Sequence, residues 1–407
     1  MSKTVQNNSS STKIAVTGIG IISALGNDVR SNLAALKSSK SGISDLRFIK
    51  TRHFNGLKVG EVKLNNDELS TKLKLKDNHN YTRISLLGCI AAIEAVNNAG
   101  IIDIQKYKTA LISANTVGGM DMTEQYFKEF QKNPEVQKYI QSHFASDSTE
   151  KIADYLGITE YVSTISTACS SAANAIMLGA RLIKSGKVER AIVGGTDALS
   201  KFTINGFKTL MILSDEVCKP FDAERNGLNL GEGAAFLVLE SDEVVKQENK
   251  KVIAYLSGYG NANDAFHQTA SSENGEGAFL AMNKALKSAN LTAKDIDYIN
   301  AHGTATPNND LSESQALKRI FKESMPAFSS TKSFTGHTLA AAGALEAVFS
   351  ILSAKEGLVF PNINYGNSMP ETGLSPQRIL DKKEIKNVLS NSFGFGGNCS
   401  TLIFSKA

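Results

Sequence analysis

The sequence predicts an α/β fold in which one strand–helix unit occurs twice. Residues 163–186 and 330–357 share the same order of features: a Ser- and Thr-rich strand end, a polar reactive residue, an alanine-rich helix and a glycine stop. Two shorter pairs of segments also match, 108–113 with 297–302 and 233–240 with 400–404. These observations indicate an internally duplicated chain with two similar halves.

We place the two halves at residues 13–250 and 251–407. The boundary lies at the charged run 246–251, after which residues 252–256 begin a new strand. A chain of 407 residues is long for one core, and two closely packed halves reconcile this length with one folding unit. Residues 1–12 are polar, rich in Ser and Asn and without an apolar segment, which predicts a disordered leader.

Cys169 is the first candidate for a catalytic residue. It follows a short β-branched run and precedes apolar residues at helical spacing, so we expect it at a helix N-terminus. There the amide N–H groups and the helix dipole would favour a thiolate, lower the pKa of the sulfur and hold an oxyanion. A buried, inert cysteine is the alternative, since free cysteines are often buried.

Polar residues of the second half provide partners for this cysteine. His302 ends a strand-like run, and Lys332 and His337 precede the second alanine-rich helix. Loops at the carboxyl ends of strands converge on one crevice in α/β folds. The sequence therefore predicts a single site that combines a cysteine, two histidines and a lysine.

Four motifs stand out in the chain: 167–171, 302–304, Lys332 with 336–337, and 391–397. Together they resemble those of the elongating β-ketoacyl-acyl carrier protein synthases, in particular the dissociated, type II enzymes that extend long acyl chains. The resemblance covers about residues 13–407, with the motifs in family order and at family spacing. It implies a thiolase-like fold, in which two βαβαβ-type halves pack into alternating helix and sheet layers around an active site between them.

The resemblance implies a decarboxylative Claisen condensation. Cys169 would accept an acyl group from the thioester of an acyl carrier protein. A malonyl thioester would then lose CO₂, and His302 and His337, as neutral imidazoles, would stabilise the resulting enolate. The acyl oxyanion would lie between the backbone amides of Cys169 and Phe395. This chemistry needs no catalytic cofactor.

Other residues match supporting positions of the family. Lys332 and Glu313 resemble the ion pair that borders the site, and the cation would disfavour protonation of the histidines. Asp310 matches an acidic position beside Glu313, with a helix cap as the alternative role. Val117 matches a pocket-end position that often holds a larger isoleucine, which predicts room for medium or long acyl chains.

The glycine-rich motif near the C-terminus resembles a family loop that gates the acyl pocket. The resemblance assigns gating to Phe395 and packing beside it to Phe393, while Gly394 and its neighbours permit unusual backbone conformations. A purely structural turn would also explain the glycines, but it would not explain the aromatic residues.

The family often holds a structural monovalent cation. The matching positions here are Asn300, Glu346, Ser390 and Asn391. A buried carboxylate at Glu346 needs a partner, and a cation would supply one. A hydrogen-bonded or partly exposed Glu346 is the alternative.

The charge balance of the chain excludes a strong nucleic-acid-binding field. There are 44 basic and 40 acidic residues, a net charge of +4. Carrier proteins are acidic, so the alternating residues Lys72, Lys74 and Lys76 are candidates for carrier docking, with a solvated loop as the alternative. The basic pair that relatives usually carry just downstream is replaced here by residues 78–81.

The remaining cysteines and the hydropathy pattern indicate a cytoplasmic protein. Cys89, Cys218 and Cys399 lack the spacing of a metal site or a disulfide framework. No apolar stretch of membrane-spanning length is free of charge, since Glu346 interrupts the longest one.

Several functions fit these features. The first is condensation in fatty acid synthesis, by a homodimer. The second is the same chemistry in a type II polyketide or polyene pathway, by a heterodimer with an inactive chain-length-factor homologue. A third, that this chain is itself the inactive partner, is disfavoured by Cys169 and both histidines. A cysteine hydrolase would need an activated water and an orienting Asn or Asp beside a histidine, whereas the sequence offers two histidines and a lysine.

Overall fold

A computed structural model describes residues 14–49, 51 and 56–407. The leader expected at residues 1–12 lies outside the described residues.

The first half of the described chain alternates strands and helices. Its strands are β1 (Ile14–Ser23), β2 (Ser44–Asp45), β3 (Lys58–Val59), β4 (Thr109–Ala114), β5 (Tyr161–Ile165), β6 (Arg190–Asp197) and β7 (Gly233–Ser241). Its helices are α1 (Val29–Lys37), α2 (Asn66–Lys72), α3 (Arg83–Asn98), α4 (Met120–Tyr126), α5 (Ala145–Leu156), α6 (Ser171–Lys184), α7 (Lys201–Thr209) and α8 (Asp242–Gln247).

The second half repeats this alternation. Its strands are β8 (Ala254–Asn263), β9 (Tyr298–Asn300), β10 (Ala327–Ser329), β11 (Leu358–Val359), β12 (Asp381–Lys382), β13 (Asn387–Phe393) and β14 (Asn398–Lys406). Its helices are α9 (Glu276–Ala289), α10 (Pro307–Phe321), α11 (Lys332–Thr335) and α12 (Ala342–Glu356). The proposed boundary at residues 250 and 251 falls between α8 and β8.

Ten strands form one mixed sheet with two equivalent parts. One part has the order β1-β7-β6-β4-β5 and the other β8-β14-β13-β9-β10, and β1 pairs with β8 where they meet. In each part the first two pairings are antiparallel and the last two are parallel. The internal duplication is thus confirmed, because β4, β5–α6 and β7 correspond to β9, β10–α12 and β14.

Helices lie in layers on both sides of these strands. Helices α6 and α12 share an apolar cluster with strands of both halves, α3 packs in a second cluster on the first half, and α9 in a third on the second half. Helix α12 is buried from Ala342 to Ala354, as expected of a helix that is apolar on all sides. The layered α/β fold predicted from the sequence is confirmed.

The glycine stops occur where the sequence placed them. Gly357 ends α12 with φ of 66°, and Gly186, with the same φ, follows α6. A short turn precedes the alanine-rich helix of the second unit and begins at Leu339. That residue has φ of 53° and begins a separate 3₁₀ turn, Leu339–Ala341, so α12 starts only at Ala342. Within the described ranges, none of the helices combines the length and apolar character that crossing a bilayer requires.

Candidate active site

A cavity of about 310 Å³ lies between the two halves of the molecule. Cys169, His302, His337, Phe393 and Phe395 all line it. The residues come from loops at the ends of β5, β9, β10 and β13, so the predicted convergence of strand ends on one site is observed.

Cys169 occupies a tight turn between β5 and α6. The helix begins two residues later at Ser171, and Ala168 has φ of 53°, which is uncommon for a residue with a side chain. Hydrogen bonds hold this turn: Ser171 Oγ accepts from Thr167 N at 2.7 Å, and Ser171 N donates to Ala168 O at 3.1 Å. The expected position at a helix N-terminus is therefore correct only to within two residues.

The expected low pKa of Cys169 is wrong. The residue is 6 % exposed, and burial raises the pKa of its thiol to about 11. The Lys332 ammonium and the backbone N–H of Phe395 oppose this rise, whereas the carboxyls of Asp197 and Glu346 add to it. Desolvation of the thiolate outweighs these local donors, so the thiol form predominates at neutral pH.

A polar cluster that the sequence did not reveal anchors the cysteine turn to the second half. The Oδ1 atom of Asn398 accepts hydrogen bonds from Ser170 Oγ at 2.7 Å, Asn174 Nδ2 at 2.9 Å and Asn261 Nδ2 at 3.0 Å. Because three donors from two other elements share one acceptor on β14, the position of Ser170 beside the cysteine is tied to the second half.

His302 is held through its backbone and its ring. Its N–H and that of Gly303 donate to the two carboxylate oxygens of Glu313 at 2.9 and 2.8 Å. The ring Nδ1 lies 3.3 Å from Lys332 Nζ. Since an ammonium only donates, Nδ1 accepts and Nε2 carries the ring proton. His302 is thus oriented as an Nε2–H donor.

His337 reaches the same state from a different loop. Leu339 N donates to its Nδ1 at 3.0 Å, which again leaves the ring proton on Nε2. The rings of His302 and His337 are T-shaped, with centroids 5.5 Å apart. Burial, and to a lesser degree the Lys332 ammonium, lowers the pKa of both imidazoles well below the usual value. Both side chains are therefore neutral donors at neutral pH.

Lys332 pairs with Glu346, not with Glu313 as the sequence suggested. Its Nζ contacts Glu346 Oε1 and donates to His302 O at 2.6 Å. Glu313 instead accepts from backbone N–H groups and from Asn391 Nδ2 at 3.1 Å. Glu346 on α12 contacts Lys332, whereas the carboxylate of Glu313 on α10 is occupied by the donors of His302, Gly303 and Asn391.

Asp310 is neither a ligand of the reacting groups nor the cap of its helix. Thr306 occupies the N-cap position of α10, and Asp310 lies within the first turn. Its carboxyl accepts from Phe221 N at 2.8 Å and from Ala305 N at 3.1 Å. Asp310 therefore fixes the loop that follows His302.

The aromatic motif forms one wall of the cavity. Phe393 contacts the His302 ring with centroids 5.5 Å apart, while Phe395 stacks on Phe207 at 6.0 Å. A Cβ atom on Gly394 would lie 2.7 Å from Thr167 O and 3.1 Å from Cys169 N. Glycine is thus required here because the strand end passes directly against the cysteine turn.

Family models match both halves of the chain. The N-terminal domain of β-ketoacyl synthases matches residues 11–244, and the C-terminal domain matches residues 253–366. The chain belongs to the β-ketoacyl synthase family.

Curated members of this family are similar over nearly the whole chain. The 3-oxoacyl-[acyl-carrier-protein] synthase 2 of Staphylococcus aureus (strain COL) is 34 % identical over 97 % of this chain and 98 % of its own length. The protein of the same name from Vibrio harveyi is 33 % identical with the same coverage.

Solved structures of ketosynthases share the fold of this β-ketoacyl synthase. The ishigamide ketosynthase/chain length factor superposes with a TM-score of 0.91 at 29 % identity, covering 97 % of this chain and 99 % of that one. A ketosynthase in complex with its chain length factor from Xenorhabdus doucetiae gives a TM-score of 0.83 at 31 % identity, covering 97 % and 98 %. The chain therefore has the thiolase-like fold and is an acyl-transferring condensing enzyme.

Two sets of predicted residues of this β-ketoacyl synthase lie away from the cavity lining. Val117 is half-buried in the loop before α4 and is not among the residues that line the cavity. Lys72, Lys74 and Lys76 are exposed at the end of α2 and in the segment that follows. Their role in docking stays a prediction.

The predicted monovalent-cation site comprises Glu346, which pairs with Lys332, and three residues on β9 and β13, Asn300, Ser390 and Asn391. Thr331 Oγ1 donates to Asn300 Oδ1 at 3.3 Å, and Asn391 Oδ1 accepts from Thr401. Glu346 Oε2 and Ser390 Oγ are buried without a hydrogen-bond partner among the described residues. Across residues 14–49, 51 and 56–407, no cluster of three or more His, Cys, Asp or Glu side chains is arranged as a metal site.

Asp197 is a further buried residue that sequence reasoning missed. It ends β6, is fully buried and accepts hydrogen bonds from Thr116 and Ala340. The available signal was an acidic residue at the carboxyl end of an apolar strand, next to Gly194 and Gly195.

Proposed function

We propose that this enzyme catalyses the decarboxylative condensation of a Cys169-bound acyl chain with malonyl-acyl carrier protein, giving 3-oxoacyl-acyl carrier protein and CO₂ in fatty acid synthesis. The observation that carries this proposal is the joint presence, in one cavity, of a thiol and two neutral imidazoles that both donate through Nε2. The names of the similar proteins support the same activity.

The first step is transfer of the acyl group to Cys169. The sulfur forms a bond to the thioester carbonyl, the bond to the carrier sulfur breaks, and the thiol proton ends on the departing carrier thiol. The overall transfer therefore consumes and releases no proton, and it needs no residue that keeps the thiol proton. This agrees with the neighbouring imidazoles, which have no free acceptor nitrogen. The amides of Cys169 and Phe395 would receive the oxyanion.

The second step uses the imidazoles. The malonyl thioester loses CO₂, and the electron pair left behind forms an enolate whose oxygen accepts from Nε2–H of His302 and His337. The carbanion then bonds to the acyl carbon, the carbon–sulfur bond to Cys169 breaks, and a proton from solvent restores the thiol. A preorganised donor of this kind contributes about 3 kcal/mol to lowering the barrier.

Lys332, Glu346 and Glu313 act as positioning residues in this proposal. Lys332 fixes the tautomer of His302, Glu346 neutralises Lys332, and Glu313 holds the His302 backbone. The second phenylalanine, Phe395, would gate the acyl pocket, since it lies in the wall of the cavity beside the glycine turn.

A structural monovalent cation fits the residues around Glu346. The unpartnered oxygens of Glu346 and Ser390 would serve as ligands, together with oxygens at Asn300 and Asn391. Such an ion would supply a partner for these two buried oxygens and no step of the reaction. A thermal midpoint that rises with added K⁺ or Na⁺ in the wild type but not in Ser390→Ala would support this site.

The decisive experiment follows the acyl group by mass. Purified enzyme is mixed with an acyl carrier protein thioester, and the adduct on Cys169 is measured before and after malonyl-acyl carrier protein is added. We expect a stable adduct that is discharged to 3-oxoacyl product only with the malonyl donor. Rapid release of free acid without that donor would instead indicate a hydrolase.

A specialised type II polyketide or polyene pathway is the second candidate. It is favoured by structural similarity to ketosynthases solved with chain length factors. Strand β5 is at the edge of the ten-stranded sheet and partly exposed, and an unpaired edge is suited to pairing with another chain. We infer a dimer through β5, with a second copy or with a homologue, working in the cytoplasm.

The oligomeric state and the chain-length profile separate these candidates. If the enzyme acts in fatty acid synthesis, the chain alone should sediment as a dimer. If it acts in a polyketide or polyene pathway, dimer formation should require a co-expressed homologue. Because of Val117 we expect medium and long acyl chains to be accepted, each added methylene contributing about 0.8 kcal/mol of binding when buried. Discrimination against chains above about eight carbons would contradict this pocket assignment.

A further inference from the structure

We propose that Asp197 is a positioning residue for the condensation, whose carboxyl ties the turn after His337 to the loop that carries Val117. The kinetic consequences of this role rest on the proposed function, whereas the contacts of Asp197 are independent of it. Asp197 ends β6 and is fully buried, so its side chain is enclosed by the segments it contacts.

A single oxygen of Asp197 holds both segments. Its Oδ2 accepts from Thr116 Oγ1 at 2.5 Å and from Ala340 N at 3.0 Å. Thr116 belongs to the first half, in the loop between β4 and α4, and Ala340 belongs to the second half. The carboxyl therefore joins a loop of the first half to the turn that follows His337 in the second half.

The contact with Ala340 bears on the orientation of His337. Ala340 lies in the 3₁₀ turn Leu339–Ala341, and the preceding amide, Leu339 N, is the donor that fixes the His337 tautomer. Leu339 has φ of 53°, a conformation that persists only when the surroundings hold it. Asp197 supplies one such constraint, so its loss should allow the turn and the imidazole to reorient.

The contact with Thr116 bears on the loop that carries Val117. Thr116 precedes Val117, and Gly118 N donates to Asn115 Oδ1 at 3.3 Å in the same loop. Asn115 Nδ2 also donates to Ala145 O at 2.7 Å, and Gly119 N donates to Ser142 O at 2.7 Å, so these contacts hold the two ends of the loop. Asp197 adds a contact to Thr116 and links the loop that carries Val117 to the turn after His337.

The carboxyl also acts on the cysteine. Its Oδ1 is buried without a hydrogen-bond partner of normal geometry, and burial raises the pKa of Asp197 to about 7. Above that pH the group is anionic, and its charge opposes formation of the Cys169 thiolate. The other charged groups that act on this thiol are Lys332 and Glu346, which variants at Asp197 leave in place.

Three variants test the proposal. Asp197→Asn keeps an oxygen that accepts from Thr116 and Ala340 but removes the charge, and Asp197→Ala removes both. Glu94→Ala is the matched control: this carboxyl accepts two backbone N–H groups, from Ile21 and Val29 at 2.8 Å, and these belong to β1 and α1, not to the segments next to Cys169 or His337.

Condensation turnover per folded enzyme and iodoacetamide alkylation of Cys169 at about pH 9 are measured for each variant. We expect Asp197→Ala to lose about a hundredfold in kcat, because a donor displaced by about 1 Å costs that much. Asp197→Asn should retain most of the activity. Both should be alkylated about tenfold faster than the wild type, because an opposing charge is gone. Glu94→Ala should match the wild type in both assays.

Equal behaviour of Asp197→Ala and Glu94→Ala would overturn the proposal. If Asp197→Ala is not recovered in a folded state, Asp197→Asn provides the test. In that variant, alkylation of Cys169 at the wild-type rate, or a hundredfold loss of turnover, would overturn the proposal. A wild-type enzyme that forms no 3-oxoacyl product would refute the proposed function. In that case the alkylation comparison would still test whether Asp197 acts on Cys169.

Discussion

The two halves of the molecule have the same strand order but place different chemistry at equivalent strand ends. The segment after β5 carries Cys169, and the segment after its counterpart β10 carries Lys332 and His337. The loop after β4 carries Val117, which lies outside the cavity lining, whereas the loop after β9 carries His302, which lines it. In the proposed reaction, one half would capture the acyl chain and the other would stabilise the enolate, although the two halves share one backbone framework.

Burial has opposite consequences in the two halves. It raises the pKa of Cys169 to about 11, which works against the thiolate form of the nucleophile. It lowers the pKa of His302 and His337, which favours the neutral donors that an enolate needs. Burial therefore favours the neutral imidazoles of the second half directly. The cysteine of the first half depends, in the proposed reaction, on a transfer in which the thiol proton leaves with the carrier.

Removing the nucleophile of the first half should have the largest effect on condensation. Cys169→Ala should lower condensation by about a thousandfold or more, because no covalent acyl intermediate forms. Cys89→Ala, a change to a buried cysteine on α3, should leave turnover close to that of the wild type. Product formation at an undiminished rate in Cys169→Ala would show that the acyl chain is bound elsewhere.

Removing one enolate donor should have the next largest effect. His302→Ala and His337→Ala should each reduce malonyl decarboxylation by about a hundredfold, since each loses one preorganised donor. The release of labelled CO₂ from malonyl-acyl carrier protein provides the measurement. An unchanged rate in either variant would remove that imidazole from the enolate site.

Breaking the buried ion pair should affect stability. Lys332→Met leaves Glu346 unpaired and should cost about 3 kcal/mol of unfolding free energy in urea. Adding Glu346→Leu should recover most of this loss. The folded-state pKa of Glu346 is already raised to about 7 from 4.5, and loss of the ammonium raises it further.

The sign of the pH dependence follows from that shift. A carboxyl whose folded pKa is raised contributes its full stability below about pH 4.5 and loses it as the pH rises through the folded value. Lys332→Met should therefore be more stable relative to the wild type at pH 5 than at pH 8. A cost that is independent of pH, or larger at pH 5, would contradict the burial of Glu346.

The ionisation of Cys169 should produce the smallest of these effects. Its alkylation by iodoacetamide should increase about tenfold for each pH unit above neutrality, without a plateau near pH 8. Peptide mapping of Cys169 at each pH, with Cys399 as an internal reference in the same cavity, gives the profile. A plateau at or below pH 8 would restore the low pKa that the sequence alone suggested.

The sequence predicted the fold and the main site residues because their signals are local. Strand ends, alanine-rich helices and glycine stops are set by nearby residues, and the ends of equivalent strands meet by topology. The partner of Lys332 was not predictable in this way, since the choice between Glu313 and Glu346 depends on how α10 and α12 pack. The pKa of Cys169 was misjudged for the same reason: the helix dipole is local, but burial is tertiary.

Acyl transfer in the absence of one imidazole tests the central claim most directly. In a single turnover, His302→Ala and His337→Ala are mixed with acyl-acyl carrier protein, and the adduct on Cys169 is followed by mass. If the two halves divide the chemistry, both variants should acylate Cys169 within about tenfold of the wild-type rate, because neither imidazole acts as its base. A loss of a hundredfold or more, the size of a general-base contribution, would contradict that division.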